Sequence, residues 1–322
     1  MKLRSLLRWE STLAVVLIVE FIFFASVSPY FLDIWTLSDA TFNFTEKALI
    51  ALPLAMLIVA GEIDISVAAI IALASVAMGL AAGHGVPTSL LVLIGLGVGT
   101  LAGAINGILV TVARVPSIVA TIGTMTFFRG VAYAVLGDRV LKDYPGSFAT
   151  LGQGYAFGPV SIELCVFIVL ALMSAIALHF TVWGRRVYAI GANALAARAS
   201  GVAVDRYRFV LFALTGMCSG LAAVLLTSRL GSTRPSIAQG WELEIIGMVI
   251  LGGISVWGGK GTIGGVVLAA VVLGLVSFGL GLLNVPGIVM SVIVGLLLIA
   301  VVAVPVISER FMSARSNATH RT

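Results

Sequence analysis

Long apolar runs separated by short polar or glycine-rich breaks make up most of the chain, and each run approaches the roughly 17–25 residues a helix needs to cross a bilayer. The pattern predicts spans at 11–28, 46–60, 65–82, 88–112, 117–136, 161–182, 209–228, 242–257, 262–283 and 287–307. A membrane strand barrel would alternate apolar and polar positions over about 10 residues, whereas stretches such as Val266 to Leu273 are apolar throughout. The expected fold is therefore all-α and polytopic, with about 10 transmembrane helices. The runs at 46–60 and 242–257 are short and bounded by acidic or glycine-rich sequence, so each can be a broken or re-entrant helix. Comparing 46–136 with 209–307, each half holds four helices and the first of each enters from the opposite side, which is the sign of an inverted repeat. One transmembrane domain over 1–322 accounts for the whole pattern.

Composition sharpens this picture. Of 322 residues, 60% are hydrophobic and 10% charged, against about 25% charged in ordinary soluble domains. The net charge of +5 reports orientation rather than nucleic acid. With the N-terminus in the cytoplasm, Lys2, Arg4, Arg8, Arg114, Arg185, Arg186, Arg198, Arg206, Arg208, Lys260, Arg310, Arg315 and Arg321 lie inside. Only Lys47, Arg139, Lys142, Arg229 and Arg234 lie outside, and Arg129 falls within a span. The five tryptophans sit at or near span edges, where an indole keeps its ring in the interface and its N–H in water. The first apolar run is too long for a signal peptide and lacks a small-x-small cleavage site, so it reads as a retained helix. Cys165 and Cys218 lie in apolar runs without metal-ligand spacing, and His84, His179 and His320 are scattered, so neither a metal site nor catalysis is expected.

Several polar positions inside the apolar frame invite a role. Gly95, Gly99, Gly103 and Gly107 recur every four residues, lining one face of the fourth span for close backbone approach. Asn106, beside that stripe, can hydrogen-bond across helices or touch a polar solute. The segment Gly61-Glu62-Ile63-Asp64-Ile65-Ser66 places two carboxylates between apolar stretches, a costly arrangement unless they face water, a partner or a helix end. It reads either as a cytoplasmic loop in which Asp64 or Ser66 caps the next helix, or as part of a pathway or gate. Arg129 faces either a pathway or a salt-bridge partner. The run Leu251 to Thr262 is glycine-rich but fails the spacing of a phosphate-binding loop, since Lys260 is followed by glycine, and is expected to be a tight cytoplasmic turn. Residues 183–208 form the principal cytoplasmic loop; within it, 191–201 predicts a short alanine-rich helix with Asn193 as N-cap and Gly201 just past its end. Such a helix can seat in a groove of another protein, leaving Arg198 free to pair with a carboxylate there. An ion-coupled secondary transporter using Glu62, Asp64 or Arg129 is the rival reading, but it leaves the alanine helix unexplained.

At these residues the chain resembles the permease subunits of bacterial ABC importers for simple sugars, the ribose, rhamnose and autoinducer-2 type. Ala60-Gly61-Glu62-Ile63-Asp64-Ile65-Ser66 is similar to that family's Gly-Gly-Ile-Asp-Leu-Ser; Gly184 to Asn193 through Gly201 and Glu242-Leu243-Glu244 through Gly261 carry the rest. Trp9-Glu10 and Ala51-Leu52-Pro53-Leu54 look most like the autoinducer-2 and rhamnose branches. Glu62 departs from the family, which usually has glycine there, and Ala68-Ala69 stands where Gly-Ser is frequent. The resemblance implies a type II fold like that of vitamin B12 importers, a second permease subunit, identical or homologous, and a location in the bacterial inner membrane with both termini cytoplasmic. It also implies a separate ATPase subunit that uses the ATP, so that this chain needs no cofactor, and a periplasmic sugar-binding protein. Gly191, Asn193, Ala194, Ala197, Arg198 and Gly201 would then form the ATPase-coupling element. Lys47, Arg139, Lys142, Arg229 and Arg234 become candidates for docking the binding protein.

Overall fold

A computed structural model of the chain describes residues 3–42, 44–297 and 299. Among them helix α1 runs Leu3–Val27, α2 Ile34–Thr41, α3 Thr45–Val59, α4 Val67–Ala82, α5 Thr88–Thr111 and α6 Ser117–Leu136. A short helix α7 (Ala149–Gln153) and a two-stranded hairpin, β1 (Tyr155–Phe157) with β2 (Val160–Ser161), fill the loop before α8 (Ile162–Ala175). Then follow α9 (Val182–Ala192), α10 (Ala194–Ala199), α11 (Val204–Leu230), α12 (Trp241–Leu251), α13 (Ile263–Leu282) and α14 (Gly287–Leu297). Among the described residues six helices are long and apolar enough to cross a membrane, and the α2–α3 pair, bent by 45°, makes a seventh when counted as one span.

Every expected apolar run contains a helix where described, but the run 242–257 is helical only to Leu251, its last six residues being turn and irregular backbone, and not every helix is long enough to span. The run 46–60 is α3, which reaches span length only together with α2. Helix α4 has 16 residues and α12 has 11. Glycines in left-handed backbone mark the breaks: Gly61 (φ +83°) ends α3 six residues before α4 begins, while Gly240 (φ +88°) and Gly253 (φ +85°) bracket α12. The run at 161–182 is α8 continued by a π turn over Ile176–Phe180. Of the run 287–307, the positions 298 and 300–307 lie outside the described residues, as do Lys2, Arg310, Arg315, Arg321 and His320.

Helix α3 is apolar on every side, and all of it except Lys47 is buried, as expected for a helix with no polar face. Helices α11, α12, α8 and α13 pack around it, and α11 and α12 also contact α4. Helices α5 and α11 run antiparallel in direct backbone contact. A Cβ on Gly99 would overlap the Gly216 carbonyl oxygen and lie 2.7 Å from the Gly220 Cα; one on Gly103 would overlap the Phe212 carbonyl oxygen and lie 2.9 Å from the Gly216 Cα. The contact is reciprocal, since a Cβ on Gly216 would lie 2.7 Å from the Gly103 Cα. Gly95 and Gly107 extend the contact at either end, against Val224 and Phe209. In lipid, where burial of apolar surface does not drive helices together, such close packing is a main source of association.

The loop between α6 and α8 closes on the end of α11. The Gly152 N–H donates to Ser228 Oγ (2.7 Å), and Leu141 pairs with Thr233. Tyr144 Oη meets Thr233 Oγ1 at 2.5 Å, while Ser75 Oγ lies 2.6 Å from Thr233 Oγ1 and 2.8 Å from Thr227 Oγ1. Burial pushes the Tyr144 hydroxyl up to about 12, so it stays protonated and available to this network.

Gly99→Ala and Gly216→Ala should each destabilise the folded chain by about 1–3 kcal/mol, because the added methyl meets backbone that cannot rotate away. Gly97→Ala, whose Cβ would meet nothing within 4 Å, should leave stability unchanged. Thermal unfolding of the three variants in detergent checks the contrast.

Candidate functional site

The break between α3 and α4 gathers most of the polar residues expected to act. Asp64 and Ser66 are fully buried. The Asp64 carboxylate accepts from the Ser66 N–H (2.8 Å) and hydroxyl (2.7 Å), and Asn106 Nδ2 donates to Ser66 Oγ (2.8 Å) and Asp64 Oδ2 (3.2 Å). Asn106 thus makes the cross-helix bonds that were one of its two expected roles, tying α5 to the break. The capping expectation fails: Ser66 is the N-cap residue of α4, but neither its side chain nor that of Asp64 accepts from the first turn. Both are committed to each other and to Asn106. Nor is the segment a solvated loop, since Glu62 is 8% exposed and pairs with Arg208 of α11 at 2.9 Å. The neighbouring strand of backbone is held from α6, with the Ile63 N–H donating to Ser117 Oγ (3.3 Å).

Among the described residues Arg129 has no carboxylate within salt-bridge reach. Its guanidinium donates to the carbonyls of Pro235 (2.7 Å), Ile237 (2.8 Å) and Ala68 (3.1 Å), joining α6 to α4 and to the irregular segment before α12. The planar fork of five donors suits it to carbonyls that no regular element satisfies. The expectation of a salt-bridge partner for Arg129 is corrected accordingly.

The three stretches that carry the family resemblance meet at one point. A Cβ on Gly191, near the end of α9, would overlap the Val59 carbonyl oxygen at the end of α3 and lie 2.5 Å from the Gly259 nitrogen. A Cβ on Gly258 would come within 3.2 Å of both the Gly191 Cα and the Gly61 Cα. The Gly259 N–H closes the junction by donating to the Val59 carbonyl at 2.8 Å. Only residues without side chains let three backbone turns approach so closely.

From this junction projects α10. Asn193 is its N-cap, accepting from the Ala196 N–H at 3.0 Å, and Gly201 follows its end at φ +81°. Ala197 is buried at 6% exposed, so it faces the chain rather than a partner, and Arg198 is not free: it donates to Asp205 at 2.9 Å. Asp205 also holds Arg114 through two bonds of 2.7 and 3.0 Å, and this hydrogen bonding raises the Arg114 guanidinium above its ordinary value. The outward apolar side chain of α10 is Leu195, 81% exposed, and Trp257 in the adjoining turn is 92% exposed.

The cations expected on the outer side divide. Arg229 makes a two-pronged pair with the buried Glu46 (2.7 and 3.1 Å), and Lys47 pairs with Glu244 while lying 4.8 Å over the Trp241 ring. Arg139 is exposed and donates to the Leu136 and Val135 carbonyls at the end of α6, which it follows. Lys142 and Arg234 are exposed and have no side-chain partner among the described residues.

Some anchoring residues escaped the sequence reading. Trp9 Nε1 donates to the Leu251 carbonyl (2.8 Å), and Glu10 accepts from the Thr262 hydroxyl, so α1 clasps the turn between α12 and α13. His179 Nε2 accepts from the Ile263 N–H at 3.1 Å, helping Thr262 cap α13. Glu163, fully buried at the start of α8 beside the Glu46–Arg229 pair, has both carboxylate oxygens without a partner among the described residues. A count of ionisable residues inside apolar runs would have found it, as it found Arg129. Among the described residues no group of three His, Cys, Asp or Glu side chains is placed to hold a metal ion.

Comparison with known proteins fits this arrangement. Residues 37–302 match the family described as "Branched-chain amino acid transport system / permease component". The autoinducer 2 import system permease protein LsrD of Escherichia coli (strain K12) is 36% identical over 300 residues, covering 91% of each chain. The protein of the same description from Salmonella choleraesuis (strain SC-B67) is 36% identical over 299 residues, covering 91% of this chain and 90% of its own. No solved structure matches. The family match over most of the length, and relatives similar from end to end, establish that the chain belongs to this family of ABC-importer permeases.

Proposed function

We propose that the chain is the membrane-spanning subunit of an importer that moves a simple sugar or sugar-like molecule, of the rhamnose, ribose or autoinducer-2 class, into a bacterial cytoplasm. A periplasmic binding protein delivers the solute, two permease subunits enclose the path, and a separate ATPase powers it. In this reading the chain forms one transmembrane domain of about 10 helices with the type II fold and an inverted repeat, α12 and the α2–α3 pair being its broken members. Both termini face the cytoplasm, and loop 183–208 is the coupling loop. The chain itself carries out no catalysis and holds no cofactor. The names of the relatives support the substrate class, and family membership sets aside the ion-coupled alternative.

The observation that carries the reading is the glycine junction. It seats the end of α9, from which α10 projects, directly on the end of α3, the buried central helix, so a force applied to α10 is delivered through α9 to the centre of the bundle. The six coupling residues then have separate tasks. Gly191 makes the junction, Asn193 and Gly201 start and stop the helix, Ala194 and Ala197 keep its inner side small, and Arg198 braces it through Asp205. Leu195 and Trp257 present the apolar surface that enters the ATPase groove.

Asp64, Ser66 and Asn106 are engaged with one another, and we assign them to holding the α3–α4 break rather than to contacting solute. Glu62 and Arg129 serve the same frame through Arg208 and the three carbonyls. On the outer side, Lys142 and Arg234 are the cations available to a binding protein, with Arg139 beside them. Lys47 and Arg229 hold the outer end of α3 instead.

Purification of the tagged chain from its host in mild detergent should bring down an ATPase subunit in stoichiometric amount. Leu195→Glu should release that subunit and abolish uptake while the chain still inserts. Uptake at the wild-type rate in that variant, or ion-gradient-driven transport by the chain alone in liposomes, overturns the proposal. Arg129→Ala leaves buried carbonyls without their donor, at about 1–3 kcal/mol for each left unsatisfied. It should lower thermal stability and transport but not release the ATPase, as the same purification and a melting curve would register.

A further inference from the structure

Between the first turn of α9 and the first two turns of α11 lies a cavity of about 380 Å³, lined by Trp183, Arg186, Gly201, Ala203, Arg206 and Tyr207 and closed by Val210. The Trp183 and Tyr207 rings stack across it, centroids 6.0 Å apart and planes 26° from parallel. Arg186 Nη1 donates to the Tyr207 hydroxyl at 3.1 Å, which leaves four of its five N–H donors for other acceptors. Arg206, from the opposite wall, has no side-chain partner among the described residues.

The imbalance of charge is local. On this side of the molecule Arg114 and Arg198 share Asp205, and Arg208 takes Glu62. Arg186 and Arg206 face a cavity whose lining contains no carboxylate. Two guanidinium groups around an open volume make a receptor for a phosphate, which accepts paired N–H bonds from such forks.

Position distinguishes the source of that phosphate. Trp183 follows the membrane-length helix Ile162–Phe180 by three residues, and Tyr207 and Val210 lie in the first two turns of the membrane-length helix Val204–Leu230. The cavity is therefore at the level where both helices leave the bilayer. Phe180 (77% exposed) and Val182 (53% exposed) present an apolar surface beside it, on which an acyl chain can lie. Stacked aromatic rings with polar edges are the side chains that favour headgroup depth.

We propose that this cavity binds the phosphate headgroup of an anionic phospholipid of the cytoplasmic leaflet. Arg186 and Arg206 grip the phosphate, and the Trp183–Tyr207 stack supports the glycerol. The cytoplasmic placement rests on the orientation adopted under the proposed function, but the binding does not require the ATPase.

Native mass spectrometry of the full chain in detergent, titrated with an equal mixture of phosphatidylglycerol and phosphatidylcholine of matched chain length, tests it. The wild type should retain phosphatidylglycerol in preference, and R186Q/R206Q should lose that preference by about tenfold, as expected for two basic residues at a charged membrane surface. R139Q/K142Q, which removes equal charge from the outer side, should retain it, as should R186K/R206K in part. Equal retention of both lipids by the wild type, or an undiminished preference in R186Q/R206Q, overturns the proposal. Displacement of the lipid by millimolar inorganic phosphate would reveal a free-anion site instead, and loss of the lipid on adding the ATPase subunit would reassign the cavity to that partner. Lipid retention in a chain that recruits no ATPase would sustain this site while removing the functional reading, so the two fail separately.

Discussion

The contact of α5 with α11, backbone against backbone, is the constraint on which the rest of the bundle depends. Helices bearing ordinary side chains pack with axes about 8–10 Å apart; the facing glycines remove the side chains that set that distance. Because the two helices lie so close, Asn106, one residue before the last glycine of the α5 stripe, reaches Asp64 and Ser66 in the break. Arg208, at the same end of α11, reaches Glu62 in that break. At the opposite end α11 supplies Thr227 to Ser75 and Arg229 to Glu46. Two polar clusters, one at each end of α3 and α4, are thus positioned by one glycine-lined seam. Widening the seam would pull the donors from both.

Half of that seam could be read in the chain and half could not. Four glycines at four-residue spacing mark α5 without ambiguity. The answering face of α11 has only Gly216 and Gly220, flanked by Phe212 and Val224 at the same spacing, and a pair of glycines in 27 residues is an ordinary frequency in an apolar helix. What completes the face is Phe212 offering its carbonyl rather than its ring, a property of register. Likewise Lys47 with Glu244 and Glu46 with Arg229 join positions nearly two hundred residues apart, and nothing local selects those partners. Local grammar performed better where the physics is local: Asn193 and Gly201 bound α10 as their side-chain chemistry requires. Arg129 was legible as a residue needing a partner, yet its partners are carbonyls, which every residue possesses and no pattern advertises.

The junction of Gly61, Gly191 and Gly258–Gly259 explains why three separated stretches carry the family resemblance together. They share one small volume: at Gly191, Gly258 and Gly259 a side chain would meet the neighbouring backbone, and at Gly61 the left-handed backbone (φ +83°) is what favours glycine. Glu62, standing where the family usually has glycine, does not disturb this junction. The close contact is made by Gly61, while the Glu62 side chain turns to Arg208. Its carboxylate therefore adds a charge pair to the break without occupying the space the turns need.

The same geometry sets how a displacement at one end of α3 reaches the other. Helix α3 spans 15 residues, about 22 Å at 1.5 Å per residue, and it is gripped at both ends. Below, the Val59 carbonyl receives the Gly259 N–H while Gly191 presses on it, so the junction resists both compression and separation. Above, Glu46 and Lys47 are held by Arg229 and Glu244. With no polar face, α3 cannot shift into solvent to absorb a displacement, and close-packed neighbours transmit strain rather than deform continuously. A push delivered through α10 is then relieved at the ionic pairs around Glu46 and Lys47 or at the α2–α3 bend. Those are the adjustable members of an otherwise tightly packed column.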